Sequence, residues 1–154
     1  MKVNLGCGRE TMAGYINVDL RPDCGDFTAD VRSLPWPDGS VDEIQAIDIL
    51  EHFPVTQTAG ILKEWRRVLR NGATITVRVP NLQELGSMIS RDDESVRAYI
   101  RNVYGGHRWG VDGILDTHHT GWTPRTLAED FENASLVVIS NDRAANMTVS
   151  AVAA

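Results

Sequence analysis

The chain alternates between short apolar segments and longer segments in which apolar residues recur with helical spacing. The short segments predict seven strands, at 2–5, 15–20, 26–31, 41–47, 73–79, 136–140 and 147–152. The longer segments predict helices at 56–70, 93–104 and 124–133. This alternation is typical of an α/β fold, and we expect a single doubly wound, mostly parallel seven-stranded sheet with an antiparallel edge strand, formed by the last two strands.

Two of the helices carry signals for their own ends. Helix 56–70 has arginines in its last turn, where cations suit the helix dipole, and Gly72 is expected to end it. The last helix is expected to begin at Thr123 and Pro124, because threonine caps helix N-termini and proline fits the first turn. One face of helix 56–70 carries large apolar residues, namely Ile61, Leu62, Trp65, Val68 and Leu69.

Segment 81–123 differs from the rest of the chain. After the charged helix it continues as an irregular run rich in glycine, histidine and tryptophan. Tyr104, His107 and Trp109 concentrate aromatic and polar groups there. Long irregular segments in compact domains are often functional. We therefore expect residues 1–154 to form a single domain, in which 81–123 is an insertion on the substrate side.

A glycine turn, Gly6-Cys7-Gly8, follows the first strand, and Asp19 ends the second strand 13 residues after Gly6. In an open α/β sheet, ligands lie beyond the carboxyl ends of the strands, and glycine lets the backbone approach them closely. A dinucleotide site usually has its ribose-binding acid about 20 residues on, after a full helix, and a third glycine where this chain has Thr11. The shorter spacing favours a ligand with a ribose and no phosphates, such as an adenosine carrying a sulfonium-linked methionine.

These segments resemble the motifs of class I S-adenosylmethionine-dependent methyltransferases, in particular the small, type 11-like enzymes that act on metabolites. The resemblance is close over about residues 2–80 and holds only in outline beyond them. It implies a Rossmann-like fold, with S-adenosylmethionine as cofactor and S-adenosylhomocysteine as product. The segments that carry it are Val3-Asn4-Leu5-Gly6-Cys7-Gly8, Tyr15-Ile16-Asn17-Val18-Asp19, Ala29-Asp30-Val31 with Leu34-Pro35-Trp36, Ile49-Leu50-Glu51-His52, and 62–69 with Asn71-Gly72.

The resemblance implies roles for the glycine turn and for the end of the second strand. The backbone of Gly6, Cys7 and Gly8 would pass under the methionine and ribose portions of the cofactor. Asp19 would accept hydrogen bonds from both ribose hydroxyls, a bidentate task that suits a carboxylate, and Leu20 would pack on the adenine. From the residues alone, Asp19 could instead cap a turn, and Cys7 could be no more than a small residue between two glycines.

Two further segments are implied to hold the remainder of the cofactor. Asp30 would accept a hydrogen bond from the exocyclic amine of adenine, and the Val31 amide would donate to the ring. Ile47 and Asp48, at the end of the fourth strand, would border the methionine moiety and the substrate entrance. The residues leave one alternative open for Asp30, that of an ordinary loop carboxylate.

Methyl transfer is an in-line displacement at a carbon that the sulfonium already activates. The protein must align the nucleophile, exclude water and, for an oxygen nucleophile, help to remove a proton. The expected catalytic candidates lie after the fourth strand and in the irregular segment, and they are Asp48, His52, His118 and His119. No metal site is expected, because no ligand pair has helical i, i+4 spacing. The alternative considered is a set formed by His107, Asp116, His118 and His119.

The net charge and the sequence after the fourth strand indicate which class of molecule accepts the methyl group. The chain has a net charge of −6 and no basic run beyond Arg66-Arg67. This argues against nucleic acid, since phosphate contacts normally need a basic face. Methyltransferases that act on exocyclic base nitrogens commonly carry Asn/Asp-Pro-Pro-aromatic after the fourth strand, where this chain has Ile47-Asp48-Ile49-Leu50. A small-molecule acceptor, or a sugar or amine on a larger acceptor, is therefore favoured.

Other features of the sequence bear on location and assembly. No apolar run approaches the roughly 20 residues of a membrane span, and no secretory signal precedes the first strand. Cys7 and Cys24 fit no metal or redox spacing and are expected to be free thiols. We therefore expect a cytoplasmic protein without a membrane partner. The oligomeric state is left open, a homodimer being one option.

We interpret the chain as a methyltransferase that acts on an oxygen or nitrogen of a small molecule. Two alternatives stay open: a cofactor-binding regulatory subunit with weak or no catalysis, and an NAD(P)-dependent reductase on a similar sheet. The chain also departs from the family that it resembles, whose members usually carry a helix before the first strand. Without such a helix, we expect the cofactor site to be more open, to be closed by segment 81–123, or to be completed by a partner chain.

Overall fold

The computed structural model describes residues 1–90, 96–106 and 116–154. Within these residues the strands form one seven-stranded sheet, with the order β3-β2-β1-β4-β5-β7-β6. The strands are β1 (Lys2–Leu5), β2 (Ile16–Asp19), β3 (Phe27–Thr28), β4 (Val41–Ile47), β5 (Leu69–Pro80), β6 (Leu136–Asn141) and β7 (Asn146–Ala153).

The chain winds in both directions from β1. Strands β2 and β3 follow on one side of it and β4 and β5 on the other, and all of these pairings are parallel. Strand β7 is antiparallel to both β5 and the edge strand β6. The predicted fold class is therefore confirmed. Because the strand order reverses between β1 and β4, the chain diverges at their carboxyl ends and leaves a crevice, which is where such sheets bind ligands.

Helices cover one face of the sheet. The helices in the described residues are α1 (Val55–Val68), α2 (Leu82–Ser90), α3 (Val96–Tyr104) and α4 (Pro124–Asn133). Helix α1 buries Ile61, Leu62 and Trp65, and the neighbouring α4 buries Leu127 and Phe131. These side chains share one apolar core with alternate residues of the strands. No helix among the described residues combines the length and the apolar character needed to cross a membrane.

The opposite face of the sheet is polar and partly exposed. Along β5 and β7, buried apolar residues alternate with residues of intermediate or full exposure. This alternation is typical of a sheet with one covered face. Thr76 and Ser150 pair across these strands, with their hydroxyl oxygens 3.2 Å apart.

Polar side chains organise the connection from β1 to β2. Residues 6–15, all of them described, form turns and no helix. The side chain of Asn4 donates to the Glu10 carbonyl at 3.1 Å and to Oδ1 of Asn17 at 3.0 Å. The same Oδ1 accepts the Met12 amide at 2.7 Å. Two buried asparagines therefore satisfy the backbone of this connection, which lets β2 begin only ten residues after Gly6.

Besides shifts of one or two residues at strand ends, three features differ from the sequence-based predictions. The third strand is reduced to Phe27–Thr28, because the chain turns at Asp30, whose carbonyl accepts the Ser33 amide at 3.0 Å. The first long helix ends at Val68, and Gly72 does not end it but lies within β5, which begins at Leu69. Helix α2 was not predicted. It begins after Asn81, whose Oδ1 accepts the amides of Gln83 and Glu84 at 3.1 and 3.4 Å.

Helix α4 begins where the sequence predicts. Thr123 has extended backbone angles and its side chain accepts the Thr126 amide at 3.3 Å. The hydroxyl of Thr126 in turn accepts the Thr123 amide at 3.0 Å, which completes a capping box. The predicted start at Thr123 and Pro124 is confirmed.

Candidate active site

A cavity of about 310 Å³ lies at the carboxyl ends of β1, β2 and β4. It therefore occupies the crevice where the strand order reverses. Seven of the nine residues proposed from the sequence to hold the cofactor line it, Asp48 among them, and so do two further catalytic candidates, His52 and His119. The described residues that line it are Gly6, Gly8, Asp19, Leu20, Arg21, Ala29, Asp30, Val31, Arg32, Asp48, Ile49, His52, Phe53, Asp116 and His119.

The glycine turn cannot accept larger residues without rearrangement. Gly6 has a φ of +65°, and a Cβ at this position would lie 2.4 Å from Cγ1 of Ile49. Gly8 has a φ of +54°, and its Cβ would lie 3.2 Å from Nη2 of Arg21. L-residues with side chains rarely adopt such angles. The turn therefore brings bare backbone to the floor of the cavity.

Asp19 is a buried carboxylate whose oxygens are already hydrogen-bonded. Its Oδ2 accepts the Gly8 amide at 2.8 Å, and its Oδ1 accepts the backbone amide and Nε of Arg21 at 3.0 and 3.1 Å. Burial raises the pKa of Asp19, but the hydrogen bonds from Arg21 and Gly8 outweigh it, so the pKa lies below its usual range. Asp19 is thus an ionised acceptor at the rim of the glycine turn.

Asp30 repeats this arrangement two residues after the end of β3. It is followed two residues later by Arg32, whose Nε lies 3.0 Å from Oδ1 and whose Nη2 lies 2.6 Å from Oδ2. This side-chain contact is the main reason why the pKa of Asp30 lies below its usual value. The sequence therefore contains two Asp-x-Arg units, 19–21 and 30–32, and all six of their residues line the cavity. The two arginines were not singled out from the sequence, although their repeated spacing was a usable signal.

Two residues proposed to hold the cofactor do not line the cavity. Cys7 is buried, its amide donates to the Val18 carbonyl at 3.0 Å, and burial raises the pKa of its thiol to about 11. Ile47 is half-buried at the end of β4, and Ile49 lines the cavity in its vicinity instead. The chain bends between these two residues at Asp48, whose φ is +54°.

A second cavity of about 370 Å³ adjoins the first. Asp48, His52 and Asp116 line both cavities, so they lie at the boundary between them. His118 lines only the second cavity and His119 only the first. The remaining described residues of the second cavity are Glu51, Pro80, Arg101, Asn102, Gly106 and Asn146.

Asp48 and His52 are held in place by separate contacts. Asp48 forms an ion pair with Arg78 of β5, in which Nε lies 2.9 Å from Oδ1. Nδ1 of His52 lies 3.2 Å from the Thr117 carbonyl. Burial, and then the nearby His118, lower the pKa of His52. The boundary between the cavities therefore carries one exposed carboxylate and one imidazole that favours its neutral form.

Glu51 was quoted from the sequence only as part of a motif, and the structure places it beside these histidines. Its side chain is 1% exposed, and Oε2 has no hydrogen-bond partner among the described residues. Burial raises the pKa of Glu51 to about 8. Its carbonyl accepts the backbone amides of His119 and Thr120 at 2.8 and 3.2 Å. These bonds tie the short 3₁₀ helix Leu50–His52 to the segment that carries the other histidines.

Two residues of the predicted substrate side, His107 and Trp109, lie outside the described residues. The alternative metal set that includes His107 is therefore not described as a whole. Tyr104 is described and exposed, at the end of α3.

Sequence comparison identifies a family for the first half of the chain. Residues 3–77 match the family described as Methyltransferase domain. An uncharacterized 37.1 kDa protein in transposon TN4556 of Streptomyces fradiae is 38% identical over 74 residues, which are 48% of this chain and 21% of that protein. The chain thus matches about a fifth of the length of this relative.

Solved structures share the fold over nearly the whole chain. A SAM-dependent methyltransferase of Methanosarcina mazei has a TM-score of 0.70 at 15% identity, over 98% of this chain and 91% of that one. The 1,6-didemethyltoxoflavin-N1-methyltransferase of Burkholderia thailandensis, solved with its substrate and S-adenosylhomocysteine, has a TM-score of 0.66 at 15% identity, over 98% and 69%. A Haloferax volcanii methyltransferase in complex with the activator Trm112 has a TM-score of 0.64 at 17% identity, over 99% and 81%. At these identities the likeness shows the fold alone.

Proposed function

Residues 3–77 match the Methyltransferase domain family, and from this premise we propose that the chain is a class I S-adenosylmethionine-dependent methyltransferase that methylates an oxygen or nitrogen of a small-molecule acceptor. The observation that carries the proposal is the meeting of Asp19 and Asp30 with the glycine turn in one cavity of about 310 Å³. When bound, S-adenosylmethionine supplies a methyl group made electrophilic by the sulfonium.

The residues present fit this cofactor. Asp19 is ionised and lies beside the Gly8 amide, where a ribose diol can donate to it. Asp30 and Val31 line the same cavity and are proposed to contact the adenine amine and ring, with exposed Leu20 against its face. Gly6 lines the same cavity, and the methionine portion is proposed to lie against its backbone.

A dinucleotide fits this site less well. Nicotinamide cofactors place their pyrophosphate at the N-terminus of a helix that follows the first strand. Residues 6–15 contain no helix, and β2 begins at Ile16. A reductase function is therefore disfavoured by the same geometry that supports a phosphate-free nucleoside.

The adjoining cavity of about 370 Å³ is proposed to hold the acceptor. Asp48 and His52 lie where the two cavities meet, so we assign them contacts with the reacting end of the acceptor. His118 and His119 are proposed to complete the walls on either side, with segment 81–123 as the acceptor side of the domain. The toxoflavin N-methyltransferase, with its substrate bound, supports an acceptor of small size.

The two cysteines give an indication of the cell compartment in which the protein is found. Cys7 and Cys24 are both free and buried. Reduced cysteines are usual in reducing compartments, which supports our proposal of a cytoplasmic protein.

Calorimetry tests the proposal directly. We expect the purified chain to bind S-adenosylhomocysteine with 1:1 stoichiometry and to give no heat with NAD under the same conditions. We also expect S-adenosylhomocysteine to form from S-adenosylmethionine when a panel of small alcohols and amines is supplied. Binding of NAD in place of S-adenosylhomocysteine would contradict the proposal.

A regulatory role is the second candidate. The Haloferax volcanii neighbour, a methyltransferase solved in complex with an activator, favours the part of this candidate that concerns dependence on a partner. Cofactor binding without turnover over the whole acceptor panel, followed by turnover on addition of a partner, would establish this role instead.

Arg21 gives a further prediction about the cofactor site. Its Nε donates a hydrogen bond to Oδ1 of Asp19, an atom that a ribose hydroxyl would need as its acceptor. Arg21→Ala should therefore raise the affinity for S-adenosylhomocysteine, by up to about fivefold, because a partly exposed ion pair contributes at most about 1 kcal/mol. Calorimetry measures the change, with Arg9→Ala as the control, because Arg9 is an exposed arginine of the preceding connection, between β1 and β2. A loss of affinity in the Arg21 variant would show that its guanidinium contacts the ligand.

A further inference from the structure

Glu51, His52 and His118 form a compact group that lines the second cavity, with His52 at its boundary with the first. One ligand-type atom from each side chain lies within 4.8 Å of those of the other two. The two imidazole rings meet edge to face, with 4.8 Å between their centroids. The group joins the 3₁₀ helix after β4 to the segment that follows residue 115, so only the folded chain assembles it.

The carboxylate of this group lacks a partner that its burial requires. Glu51 is 1% exposed, and its Oε2 has no hydrogen-bond partner in the described part of the chain. A buried carboxylate without compensation is strongly disfavoured, and proteins normally pair such groups or use them to coordinate metals. Among the described residues no lysine or arginine forms a salt bridge with Glu51, and Arg78, the cation whose charge acts on it, is paired with Asp48. The unpaired oxygen therefore points to a cation.

Both histidines are oriented in the way that metal-binding histidines usually are. Nδ1 of His52 lies 3.2 Å from the Thr117 carbonyl, and Nδ1 of His118 lies 2.9 Å from the Asn102 carbonyl. A contact of one ring nitrogen with a backbone carbonyl fixes the tautomer and directs the other nitrogen to the opposite side of the ring. The two carbonyls thus supply the outer contacts of a metal site.

We propose that Glu51, His52 and His118 bind a divalent transition-metal ion. Two imidazoles and one carboxylate form a donor set that suits Zn²⁺ and leaves a coordination position open for water or substrate. The imidazoles argue against Ca²⁺ and Mg²⁺, which prefer oxygen ligands. Asp48 and Asp116, which line both cavities, add negative charge around the ion.

The position of this site suggests what the ion does. It lines the proposed acceptor cavity and reaches the cofactor cavity at His52, so an acceptor in this cavity would lie beside the ion. An acceptor hydroxyl bound there would be oriented and would ionise more easily. This role goes beyond the proposed methyl transfer, and binding of the ion does not depend on that function.

The inference departs from the sequence-based expectation that there is no metal site. That expectation rested on ligand spacing along the chain. Glu51 and His118 are 67 residues apart, so no local motif joins them. The structure also selects a different set from the alternative considered above, since Glu51 was not part of it.

Zinc titration of the untagged full chain tests the site. After treatment with a chelator and dialysis, isothermal calorimetry with ZnCl₂ and no cofactor should show one bound ion per chain. Glu51→Gln and His118→Ala should each weaken zinc binding at least about tenfold. Loss of an outer hydrogen-bond partner of a ligand already weakens metal binding by about this factor, and these substitutions remove a ligand itself. His119→Ala is the matched control, because His119 is the adjacent, exposed histidine outside the group, and it should retain the affinity.

A second measurement distinguishes the loss of a metal ligand from misfolding of the variant. Co²⁺ added to the metal-free wild-type chain should give a visible absorption band that Zn²⁺ abolishes, and circular dichroism should show that each variant is folded. Absence of zinc binding to the wild-type chain, or equal binding by the folded Glu51→Gln variant, would overturn the inference. S-adenosylhomocysteine binding is measured on the same metal-free sample, so failure of the metal site and failure of the proposed function give different results.

Discussion

Replacing Trp65 by alanine is expected to lower the free energy of unfolding by about 3–5 kcal/mol, the usual range for deleting a fully buried tryptophan. Trp65 is 0% exposed in the middle of the core, and its Nε1 donates to the Val31 carbonyl at 2.9 Å. Because whole domains are stable by only about 5–15 kcal/mol, this is the largest effect that we expect from a single substitution. Urea unfolding followed by circular dichroism measures it.

The same residue links the core to the proposed cofactor site. Trp65→Phe keeps an aromatic ring but leaves the Val31 carbonyl without its donor, so we expect a smaller loss, of about 1–3 kcal/mol. Lys63, exposed on the same helix, supplies the control, since Lys63→Ala should change the stability by less than about 0.5 kcal/mol. A Trp65→Ala variant as stable as the Lys63→Ala variant would show that α1 does not pack on the sheet as described.

Replacing Asp19 by alanine is expected to weaken S-adenosylhomocysteine binding by about 1.5–3 kcal/mol, which corresponds to roughly 10- to 150-fold in affinity. The substitution removes the ionised acceptor proposed for the ribose hydroxyls. It also removes the acceptor of the Gly8 amide, which holds the glycine turn. Calorimetry at neutral pH gives the affinity, and unfolding experiments show whether the turn has been lost with it.

Two comparisons separate the ligand contact from the structural one. Asp19→Asn keeps an oxygen acceptor and should lose less affinity than Asp19→Ala. Asp23→Ala changes an exposed carboxylate in the following loop and should leave the affinity unchanged. If a folded Asp19→Ala chain binds as tightly as the wild type, the nucleoside does not contact this carboxylate.

Local sequence patterns were sufficient for most of the fold. The alternating apolar residues of β4 and β7 predicted these strands because a half-buried strand repeats every two residues. The capping residues at Thr123 predicted the start of α4 in the same way. Patterns failed where tertiary pairing competes with local preference. Gly72 was expected to end a helix, but pairing of Leu69 with Val41 draws residues 69–72 into β5.

The proposed cofactor site was likewise predicted only in part from the sequence. The glycine turn and Asp19 could be proposed from their spacing, because a parallel sheet brings the carboxyl ends of neighbouring strands to one edge. The repeated Asp-x-Arg spacing was a signal for Arg21 and Arg32, but their contacts with the carboxylates needed the structure, since a side chain two residues from a carboxylate can point elsewhere. Ile47 was proposed to border the site, and the bend at Asp48 places Ile49 there instead.

The sequence by itself determined the α/β class, the doubly wound sheet and the residues at the ends of β1 and β2, because each of these depends on periodicity or spacing along the chain. Only the tertiary structure decided which distant residues meet. The group of Glu51, His52 and His118 and the partly exposed polar face of the sheet are examples. Such features depend on the packing of segments far apart in sequence, where burial and hydrogen bonding are set by neighbours that no local pattern specifies.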